Sequence, residues 1–315
     1  MNAQRWDGSP GFYEVWYLTL TDPASGTGIW IRYTMVAPLP STGDEATCSL
    51  WFLAMPPGEA PVGRKASWPV SSLRASADPF ALTIEDARLT DEGMSGAFED
   101  VAWDLRWKPG REISMVHPLL TRVAATKFVV PHVDLAIEGQ VSFAGRTLEV
   151  AGARGGQAHL WGTKHANRWA WVHCNDFEES GAFVEAVSVY VPRFGRELGP
   201  NTPVWAHLGD DLDATGPLAL ARAKSTFTLT SWSFTAHRGG RRLVAEVEAP
   251  RESLAGVTYH DPDGQKAYCY NTEIASVRLN LFDRGTLRRS WHADGRAHFE
   301  YAQREPLPDV PLLTS

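Results

Sequence analysis

The feature that most constrains this chain is a long succession of short segments in which apolar and polar residues alternate, each closed by a turn signal. A period of two puts successive side chains on opposite faces of an extended strand, so RRLVAEVE at 241–248 reads as a half-buried strand. Comparable runs occupy 12–20, 28–36, 46–54, 79–84, 99–107, 126–130, 138–143 and 146–151. They resume at 157–162, 168–177, 182–191, 225–237, 266–271, 274–282, 286–292 and 296–302. Between them, Ala144-Gly145, Arg238-Gly239-Gly240, Pro262-Asp263-Gly264, Arg284-Gly285 and Asp294-Gly295 supply glycines for positive-φ turns. Hairpin after hairpin predicts an all-β chain built of antiparallel sandwich or barrel domains. Helical periodicity is confined to 116–125 and 217–223. Less than about a tenth of the chain is therefore expected in α-helix.

At 315 residues the chain exceeds what one core usually organises, so two domains are expected. The stretch 191–217 is rich in Pro, Gly and Asp and lacks alternation, which predicts an N-terminal domain over 1–195 and a C-terminal one over 205–315. A net charge of −7 leaves no basic surplus to offset phosphate, which argues against a nucleic-acid partner. Cys48, Cys174 and Cys269 are far apart with no CxxC pair, as suits a reducing compartment rather than a disulfide framework. The N-terminal stretch lacks the apolar run of a signal peptide, and no apolar run approaches a membrane span, so a soluble cytoplasmic protein is expected.

Motifs that would announce a cofactor do not occur: there is no GxSxG, P-loop or HExxH. GARGG at 152–156 leads into a strand rather than the helix a phosphate cradle needs. The acidic run Asp210–Asp213 resembles the diphosphate-binding clusters of terpene synthases, but it lies in a polar connection and reads as a solvated loop. His159, His165 and His173 are the crowded histidines, and a metal would require them to converge. Neither metal nor cofactor is expected.

The unusual stretch is GGQAHLWGTKHANRWAWVHCNDF, 155–177. On its second strand Trp169, Trp171, His173, Asn175 and Phe177 share one face, and Ala170, Val172, Cys174 and Asp176 the other. A core takes the small apolar face, which leaves the aromatic, polar-tipped face for a ligand cavity together with His159 and Trp161. The alternative is a Trp-lined core in which His173 is satisfied by a backbone carbonyl. Trp16, Trp30, Arg32, Tyr268 and Tyr270 lie in similar strands and are further candidates to line the cavity, although Arg32 could instead pair with a carboxylate across its sheet.

The run HLWGTKHANRWAWVHCNDF resembles the H-x-W-G…W-x-W stretch of a lipocalin-like family that includes carotenoid 1,2-hydratase (hydroxyneurosporene synthase), tocopherol cyclase and AttH-type proteins. FYEVWYLTLTDPASGTGIWIRYTM and AYCYNTEIASVRLNL extend the resemblance toward both ends. It implies two consecutive lipocalin-like (calycin) β domains and a non-redox hydration or cyclisation of isoprenoid chains, with pericyclic cyclisation in some fungal relatives.

Such chemistry begins with protonation of an alkene carbon. It needs an acid kept neutral by burial, and aromatic faces to stabilise the cation without trapping it. Glu185, Asp176 and His173 are the candidate catalytic groups. Alternation puts Asp176 opposite the Trp face, and Glu185 suits better if Phe183 also points inward. Each has a plain structural role as the competing explanation. The expected function is a cofactor-free hydratase or cyclase acting on an isoprenoid, terpenoid or other polyene. The alternative is a non-catalytic carrier of a hydrophobic lipid or isoprenoid. A scaffold role for the sheet surfaces is a third.

Overall fold

A computed structural model describes every residue except 123, 179–180, 194–195 and 315, and the side chains of 192, 193 and 196 are likewise left out. The described strands form two 12-stranded sheets, each curling nearly closed into a barrel. The first runs from Phe12–Thr21 to Arg146–Gly162, and the second from Arg168–Cys174 to Leu312–Thr314. The fold is all-β with two consecutive lipocalin-like domains. Pairing is antiparallel except where Leu312–Thr314 adds in parallel beside Ala255–His260.

Each sheet is organised by one long hairpin: Thr126–Phe143 with Arg146–Gly162, and Lys266–Asp283 with Thr286–Gln303. Both close on a two-residue turn with positive φ, 48° and 74° at Ala144-Gly145 and 48° and 86° at Arg284-Gly285, which matches the twist of the strands. Register shifts near His132 and near Thr272 bend these strands, so a run that reads as two strands in sequence is one curved strand in space.

The single α-helix among the described residues is Pro217–Arg222, close to the expected 217–223. The 116–125 candidate is instead a 3-10 turn at Pro118–Leu120. No helix is long and apolar enough to cross a membrane among the described residues. The change of sheet falls at 163–167, whereas the expected division at 195/205 lies inside the second sheet. The Pro, Gly and Asp residues of 191–217 mark turns around the short strands Arg196–Asn201, Val204–His207 and Asp211–Asp213. The actual crossing is too short to carry a compositional signal. Sequence patterning also misses Val62–Pro69, which alternates poorly because it is half-exposed along its length.

Three apolar clusters form. One fills each barrel, and the third lies between the barrels. Phe12–Thr21 shows how: Trp16, Leu18 and Leu20 enter the N-terminal barrel, while Tyr13, Val15 and Tyr17 face outward into the third cluster. The strand is therefore buried on both faces. Trp169, Trp171, Val257 and Tyr259 meet them from the other domain. The approach is close at Gly28, where an added Cβ would lie 2.4 Å from Glu273 Cβ and 2.7 Å from its carbonyl. Gly28→Ala is expected to force the sheets apart and destabilise the protein by about 1–3 kcal/mol, the scale of overpacking a rigid contact. Urea denaturation checks this, and an unchanged midpoint would show that the two sheets do not pack so closely.

Candidate functional site

In Arg168–Cys174, Ala170, Val172 and Cys174 fill the C-terminal core, and Trp169, Trp171 and His173 face the interdomain seam. Within that seam lies a cavity of about 120 Å³. Tyr13 and Tyr17 close it from the N-terminal domain, Trp169, Trp171 and Tyr259 from the C-terminal one, and Phe128, Leu160 and Val187 complete its apolar wall. Tyr17 meets Trp171 edge-on at 5.7 Å, and Trp169 lies nearly parallel to Tyr259 at 6.4 Å.

Besides the Thr126 hydroxyl, which is bound to Tyr13 and to the Lys164 carbonyl, three polar groups interrupt this wall: Glu300, His165 and Arg32. Glu300 alternates with the core residues Phe299 and Tyr301, so its strand delivers it to the cavity. Trp169 Nε1 donates to its Oε2 at 3.1 Å. Burial pushes its carboxyl upward and outweighs both that hydrogen bond and the charge of Arg32.

His165 is held at one edge by Asp261, whose Oδ1 lies 2.6 Å from Nδ1 and accepts the His165 backbone N–H at 2.9 Å. Arg304 donates to the other Asp261 oxygen at 2.6 Å. Burial works against ionisation of Asp261, but the hydrogen bonds from His165 and the charge of Arg304 hold it at about 2. Burial lowers His165, so the neutral imidazole donates from Nδ1 and its Nε2 carries a lone pair with no protein partner recorded among the described residues. Tyr13 stacks on the ring at 4.3 Å.

Arg32 is only 4% exposed, with its guanidinium 4.0 Å from the Tyr259 ring centroid and 5.6 Å from those of Trp30 and Trp51. Its one recorded hydrogen bond runs from Nε to Thr34 Oγ1 at 2.9 Å. The cross-sheet carboxylate pair that would have explained this arginine structurally is absent among the described residues.

Of the expected lining residues, Trp169, Trp171 and Arg32 reach the cavity, and Trp30 packs behind Arg32. His173 lies deeper in the seam. Asn175 spans it, donating to the carbonyl of Gly155 at 2.8 Å. Glu185 stands behind the wall, with Oε1 accepting from Trp171 Nε1 at 2.5 Å and Oε2 2.8 Å from His173 Nδ1. It fixes the orientation of both rings. Asp176 points elsewhere, 3.6 Å from Arg296.

Trp16, His159 and Trp161 do not join the group. Leu160 and Ala158 of their strand face the seam, so His159 and Trp161 point the opposite way, where His159 stacks on Trp16 and bonds Glu14 at 2.8 Å. The same parity sends Tyr268 and Tyr270 into the C-terminal core, and Tyr259 takes the place expected of them. With His159, His165 and His173 each against its own carboxylate, the three do not converge. Among the described residues no group of three or more possible ligands could hold a metal. Asp211 lies on an edge strand, paired with Arg111 and His207. Glu300 had a legible signal, a lone acid in the apolar run HFEYA. His165, in the crossing between domains, had none beyond the histidine itself.

Below the cavity, His173 stacks on His298 at 5.6 Å, and His298 Nδ1 lies 2.6 Å from Glu273 Oε2, to which the Thr19 hydroxyl also donates. Burial lifts the Glu273 carboxyl to about 8 and drives His298 well below its usual range, so both are neutral near pH 7. Above its ordinary value near 4.5 the unfolded chain ionises Glu273 while the folded chain does not, so its stabilising contribution is lost as pH rises through about 8. The lowered histidines have the opposite slope, but only below about 6.5. Stability is therefore expected to fall between about pH 6.5 and 8, and Glu273→Gln to flatten that fall. Urea midpoints across the window check this. An identical slope in the variant would show that Glu273 is already ionised in the folded protein.

No protein-family model matches the chain. Its fold is similar to that of an AttH candidate from Nitrosomonas europaea (TM-score 0.57, 11% identity, 96% of this chain and 98% of that one). It is also similar to CghA (TM-score 0.61, 8% identity, 96% and 93%) and to kievitone hydratase from Nectria haematococca (0.56, 7%, 94% and 89%). In sequence it is 33% identical over 310 residues to the uncharacterized proteins Rv0493c and MT0513 of Mycobacterium tuberculosis strains H37Rv and CDC 1551, covering 95% of this chain and 89% of theirs. Identity sustained across both barrels places the chain in one family with these mycobacterial proteins.

Proposed function

We propose that the protein is a cofactor-independent hydratase or cyclase that protonates a carbon–carbon double bond of a hydrophobic molecule held in the seam cavity. The observation that carries this reading is Glu300, a carboxyl in a wall of aromatic rings whose burial shifts it toward its neutral form. A carrier gains nothing from the cost of burying an acid there, whereas proton transfer to carbon requires one. The shared fold with a hydratase supports the reading.

In this mechanism Glu300 gives its proton to one alkene carbon, and the π electrons form the new C–H bond. The cation left on the other carbon faces Trp169, Trp171, Tyr17 and Tyr259, each ring supplying roughly 0.5–2 kcal/mol of cation–π attraction. Water that captures the cation passes a proton to His165 Nε2, giving an alcohol. Capture by a second double bond followed by proton loss to the same nitrogen gives a ring. Proton return to Glu300 closes the cycle. Glu185, the acid favoured by the sequence, acts here as a positioning residue for Trp171, because both its oxygens are engaged. The substrate is a terpenoid or other polyene, of which the cavity takes the reacting double bond and its neighbours rather than a whole long chain.

Glu300→Gln is expected to reduce turnover by about 100-fold or more while leaving binding nearly unchanged, since the proton moves in the transition state. Trp171→Ala is expected instead to weaken binding by about 1–3 kcal/mol. Deuterium uptake from D2O into short terpenoid alkenes such as geraniol, read by mass spectrometry, measures the first, and Trp fluorescence quenching the second. Polyenes that bind but never acquire deuterium would replace the enzyme with a carrier.

A further inference from the structure

Arg32 has no part in the protonation just described, yet its side chain is almost wholly buried in the site. A guanidinium withdrawn from water costs several kcal/mol unless a counter-charge and hydrogen bonds compensate it. Rings compensate part of this: its carbon lies over Tyr259 and near Trp30 and Trp51. Of its five N–H donors, only Nε–H has a recorded acceptor, the Thr34 hydroxyl. The four N–H groups on Nη1 and Nη2 have none among the described residues.

The neighbouring acids are otherwise engaged. Asp261 is bound by His165 and Arg304. Glu300 accepts from Trp169 and favours its neutral form. Asp44 and Glu45 line the outer groove and form no ion pair with Arg32 among the described residues.

Position adds the second observation. The cavity of about 120 Å³ adjoins an open groove of about 540 Å³, and Tyr13, Arg32, His165 and Tyr259 line both. Arg32 thus stands where a small aromatic-walled cavity meets a larger groove that also carries Asp44, Glu45, Lys65 and Lys266. A cavity of roughly 150 Å³ holds a benzene-sized body, so the inner chamber suits one ring or a short branched chain. A planar guanidinium with its edge free is matched to a carboxylate, which accepts two parallel N–H bonds.

We propose that Arg32 is an anion-binding residue at the mouth of the seam cavity, and that the molecule bound there is amphipathic, with a short apolar body inside and a carboxylate on the guanidinium. This deepens the preceding reading and rests on its premise that the cavity binds a hydrophobic molecule. The carboxylate fixes which end of the substrate enters, and so which double bond reaches Glu300.

The test compares 4-phenylbutyrate with 4-phenylbutan-1-ol, which share an apolar body and differ in charge, by Trp fluorescence titration at pH 7. The wild-type protein is expected to bind the carboxylate about tenfold more tightly or better, the scale of a hydrogen bond to a charged group. Arg32→Gln is expected to abolish that preference while keeping affinity for the alcohol. Arg32→Met, whose apolar stem still covers the rings, serves the same purpose if the glutamine variant fails to fold. Lys65→Gln and Lys266→Gln, which remove the other cations of the groove, are expected to retain the preference. Equal binding of the two probes by the wild type would overturn the anion site and leave the hydrophobic cavity standing. A preference that survives loss of Arg32, or vanishes with a lysine, would overturn it by moving the charge elsewhere. If neither probe binds, the cavity reading fails and this one with it.

Discussion

The two barrels are joined through their outer faces, and this burial decides most of what is distinctive in the structure. A strand such as Phe12–Thr21 sends Trp16 and Leu18 into its own barrel and must still cover Tyr13, Val15 and Tyr17 on the other side. The C-terminal domain presents Trp169, Trp171 and Tyr259 to the same seam. Large flat rings cover much area but tile a curved surface imperfectly, and close glycine contacts such as Gly28 against Glu273 fix how near the sheets can come. The cavity is what the rings leave unfilled.

The seam is also where the buried titratable groups collect. Glu185, Glu273 and Glu300 are all shifted upward by burial, and His165 and His298 downward. The direction in each case favours the neutral form, the expected response of groups withdrawn from water. Asp261 is the exception. It is held ionised by His165 and Arg304. Arg32 has rings as its close partners. Acids and bases shifted toward their neutral forms suit the proton transfer proposed for the seam, and the unpaired edge of Arg32 suits the anion proposed to bind there.

Alternation was enough to find the strands, the all-β class and the division of Arg168–Cys174 into a core face and an aromatic face. It failed where faces had to be compared between strands. His159 and Trp161 look like companions of Trp169 and Trp171 in sequence, but they belong to a different sheet and point into the opposite side of it. Tyr268 and Tyr270 fail for the same reason, being one residue out of phase with Cys269 and Ala267, which take the seam. Turns at a sheet edge and a linker share a composition, so the Pro, Gly and Asp of 191–217 stand out in sequence while the change of sheet at 163–167 has no special composition.

What the sequence by itself determined is therefore local: period-two patterning, positive-φ turns, and a strand whose small face is core and whose Trp–His face is not. A resemblance in 159–177 added the paired-barrel architecture. Only the tertiary structure decided which faces meet, because two alternating strands carry no record of which sheet lies opposite. That meeting brings Glu300, Arg32 and His165, from three distant places in the chain, to one cavity. It also engages both oxygens of Glu185 with Trp171 and His173, contacts that the sequence does not record.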